Sequence, residues 1–476
     1  MLSLNGITTI SPEAAKAIVA YRGGALFLDG LTTLSANTAK ALATRTRSLH
    51  LNGVTSLSED AAKELENFRG ITTLRIEGLR TLTPDVVKSL TRVHAWSGRL
   101  PSLQVLDADT AKALADFKGD EMCLDGLTTI TEDAAKPIVE RRGASLSMDG
   151  LTSLTPEVAK LLATFGGLYL SLDGLTSLSP ETAEALSERG RTLTLNGLVD
   201  VSDEVADILG QFRCQTLFLN GIGSLSHKAA KSLSSFGGQE LSLDGLTALD
   251  RESAERLATF RGAKLRLNGL TSLDVEAAVA LARFNGKVLS LDRLANLDSE
   301  TIEALASLNT EGLRLPCVTA IDARAAKALA AFRGKFLGLG GLTAINAAVA
   351  EQLATFGGTR LELTGLSELS VDAAKALAAA EKWDGNLPRL TALDSPDSIA
   401  VVKALATRKG HLRLLNLKRI SPKTLSTLIA KQDVAIPFVE TLEFIPEPDG
   451  SITEDFVIPD WLESRQKQQR AGRMPI

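Results

Sequence analysis

Leu146-Ser147-Met148-Asp149-Gly150-Leu151-Thr152-Ser153-Leu154 decides the fold, because the same design stands at Leu26-Phe27-Leu28-Asp29-Gly30-Leu31-Thr32-Thr33-Leu34 and at Leu241-Ser242-Leu243-Asp244-Gly245-Leu246-Thr247-Ala248-Leu249. In all, 18 such units begin at residues 2, 26, 49, 74, 98, 122, 146, 170, 193, 217, 241, 265, 289, 313, 337, 361, 385 and 412. Thirteen of the 17 intervals are 24 residues; the others are 23, 25, 23 and 27. A period held that well over most of the chain is the mark of a repeat architecture. It replaces the two to four ordinary domains that 476 residues would otherwise suggest.

Each unit has two halves. The first alternates Leu-x-Leu, the period-2 pattern of a short strand, and ends in a Gly where the backbone turns. The second opens on a helix start, as in Ser11-Pro12-Glu13, Thr155-Pro156-Glu157 and Ser179-Pro180-Glu181. There a hydroxyl caps, Pro suits the first helical position and Glu complements the helix N-terminus. Inward residues follow at helical spacing, as Ala62, Leu65 and Phe68. Phe165, Phe212, Phe236, Phe260, Phe284, Phe332 and Phe356 occupy one repeat position and are expected to stack as a core spine. One strand and one helix cannot bury both inner faces alone, so stacking must build a parallel sheet on one side and a helix row on the other.

Over about residues 1–430 this pattern resembles the leucine-rich-repeat family. It is most similar to the subclass whose unit reads Leu-x-Leu-x-x-Cys-x-x-Ile-Thr-Asp before a helix, here as a bacterial 24-residue variant. The resemblance implies an α/β fold: a right-handed leucine-rich-repeat solenoid, horseshoe or superhelix, of about 18 repeats. Its parallel β-sheet would line the concave face and its short helices the convex face. It also implies protein binding. Leu31 stands where that family often places Asn or Cys, and this removes the usual side-chain ladder to the turn backbone. Thr32, Thr55, Thr128, Thr152, Thr176, Thr247 and Thr271 are expected to form a substitute hydroxyl ladder.

Two units depart together. Trp96-Ser97-Gly98-Arg99-Leu100-Pro101 and Trp383-Asp384-Gly385-Asn386-Leu387-Pro388 carry Gly for the first strand Leu, Pro for the usual Asp or Asn, and a Trp two residues earlier. Either Trp fills the volume of the missing Leu, or Trp96 is an exposed binding anchor. The chain is therefore read as a solenoid over residues 1–433 and a C-terminal capping segment and mobile tail over residues 434–476. Residues 440–444 would form a last strand. Phe456-Val457-Ile458-Pro459, with Trp461 and Leu462, would close the core, and residues 463–476 would be mobile. Leu2 is already a strand position, so the N-terminal edge is a candidate for self-association.

The chemistry is sparse. The glycines serve turns, with no phosphate loop, and His50, His94, His227 and His411 lie in different units. Cys123, Cys214 and Cys317 share no metal-ligand spacing. No catalytic set, cofactor or metal site is expected. One acidic ladder does stand out. Asp125, Asp149 and Asp173 fall in consecutive units, ~4.8 Å apart along a parallel sheet. They read as Asp-Gly turn formers, as contacts for a cationic partner, or as oxygen ligands for a cation such as Ca²⁺.

The residue between the two Leu points out of the sheet and is free to vary. In the N-terminal third it supplies Phe27, His50, Arg75 and Arg99, with Arg47 and Trp96 just ahead of two of them. Aromatic and Arg side chains anchor interfaces, so these six form the candidate partner-binding patch. A net charge of -5 gives no overall basic excess for nucleic acid or anionic membrane. No apolar run approaches the ~20 residues of a membrane span, and no signal peptide is evident. The expectation is a cytoplasmic, non-catalytic scaffold for a protein partner, with self-association through the N-terminal edge as the alternative.

Overall fold

The computed structural model describes residues 1–21, 23–45, 47–431, 433–448 and 458–470. Each regular unit is a strand, a turn and a short helix, the repeated coil of an α/β solenoid. The chain divides into two compact units, Met1–Gly245 and Leu246–Ile476.

In the first unit, strands Leu2–Ser3, Leu26–Phe27, Leu49–His50 and Leu74–Arg75 form a parallel sheet in register, with Leu2 opposite Leu26, Leu26 opposite Leu49 and Leu49 opposite Leu74. Strands Glu121–Cys123, Ser145–Ser147, Tyr169–Ser171, Thr192–Thr194, Thr216–Phe218 and Glu240–Ser242 pair in the same parallel way. Between these runs the Trp96 unit is reduced to single bridges, Leu74 to Trp96 and Arg99 to Cys123. In the second unit, Lys264–Arg266 through Arg360–Glu362 repeat the pattern. A second, three-stranded parallel sheet there joins Ala392–Leu393, Arg419–Ile420 and Glu443–Phe444.

The Leu-x-Leu residues face inward without exception in the central units: Leu146, Leu170, Leu193 and Leu217 are fully buried. Each such side chain contributes about 1.5–3 kcal/mol of burial. The helices start where the sequence places them. The Ser11, Thr155 and Ser179 hydroxyls accept from the backbone N–H of Ala14, Val158 and Thr182 at 3.2, 3.3 and 3.2 Å. All seven spine Phe are buried, and the rings of Phe260 and Phe284 lie 6.5 Å apart and 7° from parallel.

The spine also contains residues that hydropathy hid. Arg45, Arg141, Arg189 and Arg408 stand at or near the Phe position of their units and are all buried. Their guanidinium groups lie over the aromatic ring of the preceding unit: Tyr21 at 5.9 Å, Phe117 at 5.7 Å, Phe165 at 5.6 Å and Trp383 at 5.0 Å. The flat guanidinium continues the ring stack, a geometry Lys could not supply. Carbonyl oxygens stand in for water. Arg45, for example, donates to Tyr21 O at 3.0 Å, Gly23 O at 3.1 Å, Gly24 O at 2.9 Å and Ser48 O at 3.0 Å.

At the C-terminal end the expected last strand is shorter than residues 440–444, since Val439–Thr441 is a 3₁₀ turn and only Glu443–Phe444 pairs. The buried Glu447 carboxylate accepts from Ser421 Oγ at 2.8 Å and Lys423 N at 2.9 Å, at the start of helix Pro422–Ile429. Within the stretch expected to be mobile, Asp460–Arg470 is a helix with Leu462 and Gln466 buried. Gln466 accepts from Val439 N at 3.3 Å and donates to Pro437 O at 3.0 Å, which ties this helix to the last coil. Ile458, expected to close the core, is 39% exposed. Phe456, Val457 and residues 471–476 lie outside the described residues.

Candidate functional site

The acidic ladder resolves into a structural device. Asp125 Oδ1 accepts from Asp149 N at 3.1 Å, Asp149 Oδ1 from Asp173 N at 2.9 Å, and Asp173 Oδ1 from Asn196 N at 2.8 Å. The series continues through Asn196 and Asn220 to Asp244 N, at 3.0 Å each. At the N-terminal end Asn5, Asp29 and Asn52 do the same for Asp29, Asn52 and Glu77, at 3.1, 2.9 and 3.2 Å. Each carboxylate or amide thus satisfies a turn N–H of the next rung, which would otherwise cost about 1–3 kcal/mol if buried unpaired. Hydroxyls add to these acceptors: Ser147 Oγ lies between Asp125 and Asp149, sharing its one proton, and Ser171 donates to Asp149. Among the described residues, no group of three or more His, Cys, Asp or Glu is placed to hold a metal ion.

This overturns the expected threonine ladder. Thr32, Thr128, Thr152, Thr176, Thr247 and Thr271 are exposed and Thr55 is half-buried. None of their hydroxyls has a hydrogen-bond partner among the described residues. The Asp or Asn two residues before the Leu31 position takes over the role instead, because its short side chain spans one rung.

Trp96 is also corrected as an exposed anchor. It is 3% exposed, edge-on to Phe117 at 5.0 Å between ring centroids, and Trp383 is 1% exposed. Each indole fills the space that the missing Leu leaves. Gly98 and Gly385 adopt φ of 68° and 70°, a backbone region costly for other residues. The irregular rung therefore demands Gly, and the Trp replaces its absent side chain.

The other candidates lie on the strand face. Phe27 and His50 stack, with ring centroids 4.3 Å apart and 29° between planes. Burial, and then the neighbouring Arg75, hold His50 below the usual imidazole value, while Asp29 and Glu77 pull weakly the other way. That direction favours the uncharged imidazole, whose ring face stacks on Phe27. Arg75 and Arg99 both face Glu77, with Nε to Oε1 distances of 3.8 and 3.5 Å. Glu77 is the residue the sequence reading passed over. It occupies the ladder position, but the next rung there carries Pro101, which has no N–H to offer. Its carboxylate is freed from the ladder and turns to the two guanidinium groups. Arg47 is exposed two residues ahead of the His50 strand.

The buried thiols are chemically quiet. Burial, reinforced by the hydrogen bond to Asp125 at 2.9 Å, pushes Cys123 up to about 12, and burial pushes Cys214 up to about 12. Cys317 is exposed. An alkylating reagent at about pH 8 should therefore label Cys317 alone in the folded chain and all three cysteines in denaturant. Peptide mapping that found Cys123 or Cys214 labelled as fast as Cys317 would show these sites to be open.

No protein-family model matches the chain, and no curated protein matches it in sequence. Among solved structures, the chain is similar to a TLR13–ssRNA13 complex at 16% identity over 92% of this chain and 65% of that one, with a TM-score of 0.46. It is also similar to an internalin, inlF, from Listeria monocytogenes, at 15% identity over 74% of this chain and 88% of that one, TM-score 0.37. A third similar structure is the Toll–Spatzle complex of Drosophila, at 13% identity over 90% and 53%, TM-score 0.34. The chain thus spans less than two thirds of the length of the TLR13 chain.

Proposed function

We propose that this leucine-rich-repeat solenoid is a non-catalytic scaffold that binds a protein partner through the strand face of its N-terminal units. The observation that carries the reading is the cluster Phe27, His50, Arg75 and Arg99, four outward residues on successive rungs. It joins a stacked aromatic surface to two guanidinium groups that stay 44% and 41% exposed. Such side chains give interfaces most of their energy. The non-catalytic reading is supported by the fate of the reactive groups: the strand-face carboxylates bind turn N–H groups, and two of three thiols are buried. We read residues 1–433 as the solenoid and 434–476 as its C-terminal cap. We take the chain to be a bacterial 24-residue variant that works in the cytoplasm, where free thiols persist.

The test is partner capture from the source cell with the full chain. Phe27→Ala/His50→Ala and Arg75→Ala/Arg99→Ala should each lose the partner. Lys112→Ala/Lys136→Ala, on exposed helix positions, should retain it. Equal recovery by all three overturns the reading.

A further inference from the structure

We infer that the Arg75–Glu77–Arg99 cluster is a receptor for a carboxylate, and that the partner presents an acidic peptide segment to it. The inference rests on the scaffold reading above and gives it a chemistry. The two Arg side chains come from adjacent rungs and converge on one Glu77 oxygen that is shielded from solvent and makes no hydrogen bond. At 3.8 and 3.5 Å these are ion pairs without hydrogen-bond geometry. Neither guanidinium donates a hydrogen bond to another described residue. Their planar N–H forks are therefore available, and such forks match carboxylate geometry bidentately.

Charge supports the same occupant. Within the trio two guanidinium groups face one carboxylate, while the flanking Asp29 and Asp125 carboxylates already accept from the turn N–H of the next rung. Glu77 acts as a placeholder. It keeps two like charges on neighbouring rungs without repulsion, and it occupies the kind of position an incoming carboxylate would take. Beside it, the Phe27–His50 stack offers an apolar surface for the side chain next to the acidic residue. The corresponding irregular rung of the second compact unit is built with the opposite sign. There Arg360 lies between Glu362 at 2.6 Å and Asp384 at 3.3 Å, so one cation faces two carboxylates. Preference for an acidic segment is thus a property of the Arg75 rung and not of the Trp–Gly–Pro design itself.

The experiment uses the full chain and fluorescence anisotropy of a glutamate-rich octapeptide with a central phenylalanine. Its lysine-rich and glutamine-rich counterparts and a single-stranded oligonucleotide of equal charge serve as comparison probes. The acidic peptide should bind, and raising salt to about 0.5 M should weaken it. Arg75→Ala/Arg99→Ala should cost about tenfold or more, with circular dichroism unchanged. Arg75→Lys/Arg99→Lys, which keeps the charge but not the fork, should also weaken binding. Glu77→Gln should tighten it by about threefold, since it removes the competing carboxylate; a purely structural Glu77 would weaken binding instead.

Equal binding of the glutamine-rich peptide overturns the proposal, and so does binding of the oligonucleotide in place of the peptide. If no peptide binds while strand-face substitutions still abolish partner capture, the carboxylate receptor is wrong and the scaffold reading stands. If capture is also indifferent to those substitutions, both fall.

Discussion

Arg189→Ala should destabilise the first compact unit by roughly 3–5 kcal/mol, the range for removing a large buried side chain, while Arg189→Phe should leave stability within about 1 kcal/mol of the parent or above it. Arg189 is 1% exposed, and its guanidinium lies 5.6 Å from the centre of the Phe165 ring. It donates to the carbonyl oxygens of Phe165, Gly167 and Thr192, the second at 2.7 Å, but its Nε finds no partner. Burial lowers it to about 10, so it remains a cation at pH 7. Both variants remove the donors to those carbonyls, and the Ala variant alone also opens a cavity. The Phe variant restores the residue that the next rung already carries as Phe212, and removes the cost of burying a charge. Urea denaturation reads both, and hydrogen exchange should place the Ala damage in the adjoining rungs, because each repeat contacts only its neighbours. Equal losses for Ala and Phe would show that the hydrogen bonds, not the stacked volume, hold this position.

Gly150→Ala should cost about 3 kcal/mol, at the upper end of the usual range for overpacking, whereas Gly166→Ala should be neutral or stabilise by about 0.4–1 kcal/mol. A Cβ at Gly150 would lie 2.1 Å from Asp125 O and 2.6 Å from Leu127 O. Both are backbone atoms of the preceding rung and cannot rotate away. At Gly166 a Cβ meets nothing within 4 Å. Gly150 therefore follows Asp149 because two rungs approach closely there, and not because the turn needs a left-handed residue; its φ is not positive. The comparison separates packing from backbone freedom. Similar melting temperatures for the two variants would overturn the close-approach account.

Much of the architecture was legible from residue spacing. Period 2 over Leu146, Met148 and their equivalents sets which side chains face inward, and a 24-residue recurrence forces each strand beside its neighbour in parallel. Helix starts at Ser11, Thr155 and Ser179 were equally plain, because a cap is a local bond between residues three apart. The proposed binding patch was legible only in part. Phe27, His50, Arg75 and Arg99 followed from alternation, whereas Glu77 gained its place because Pro101, 24 residues away, withholds an N–H.

By itself, then, the order of residues determined the repeat, the inward leucines and the helix caps, since each depends on contacts within one coil or on its strict recurrence. Tertiary structure alone decided what crosses from rung to rung: Asp125 and its successors cap turns, Trp96 goes inward, and Arg189 joins an aromatic stack. The physical reason is direction. A polar or amphipathic side chain can turn to solvent or to the neighbouring backbone, and only the packed position of that neighbour settles which is lower in free energy.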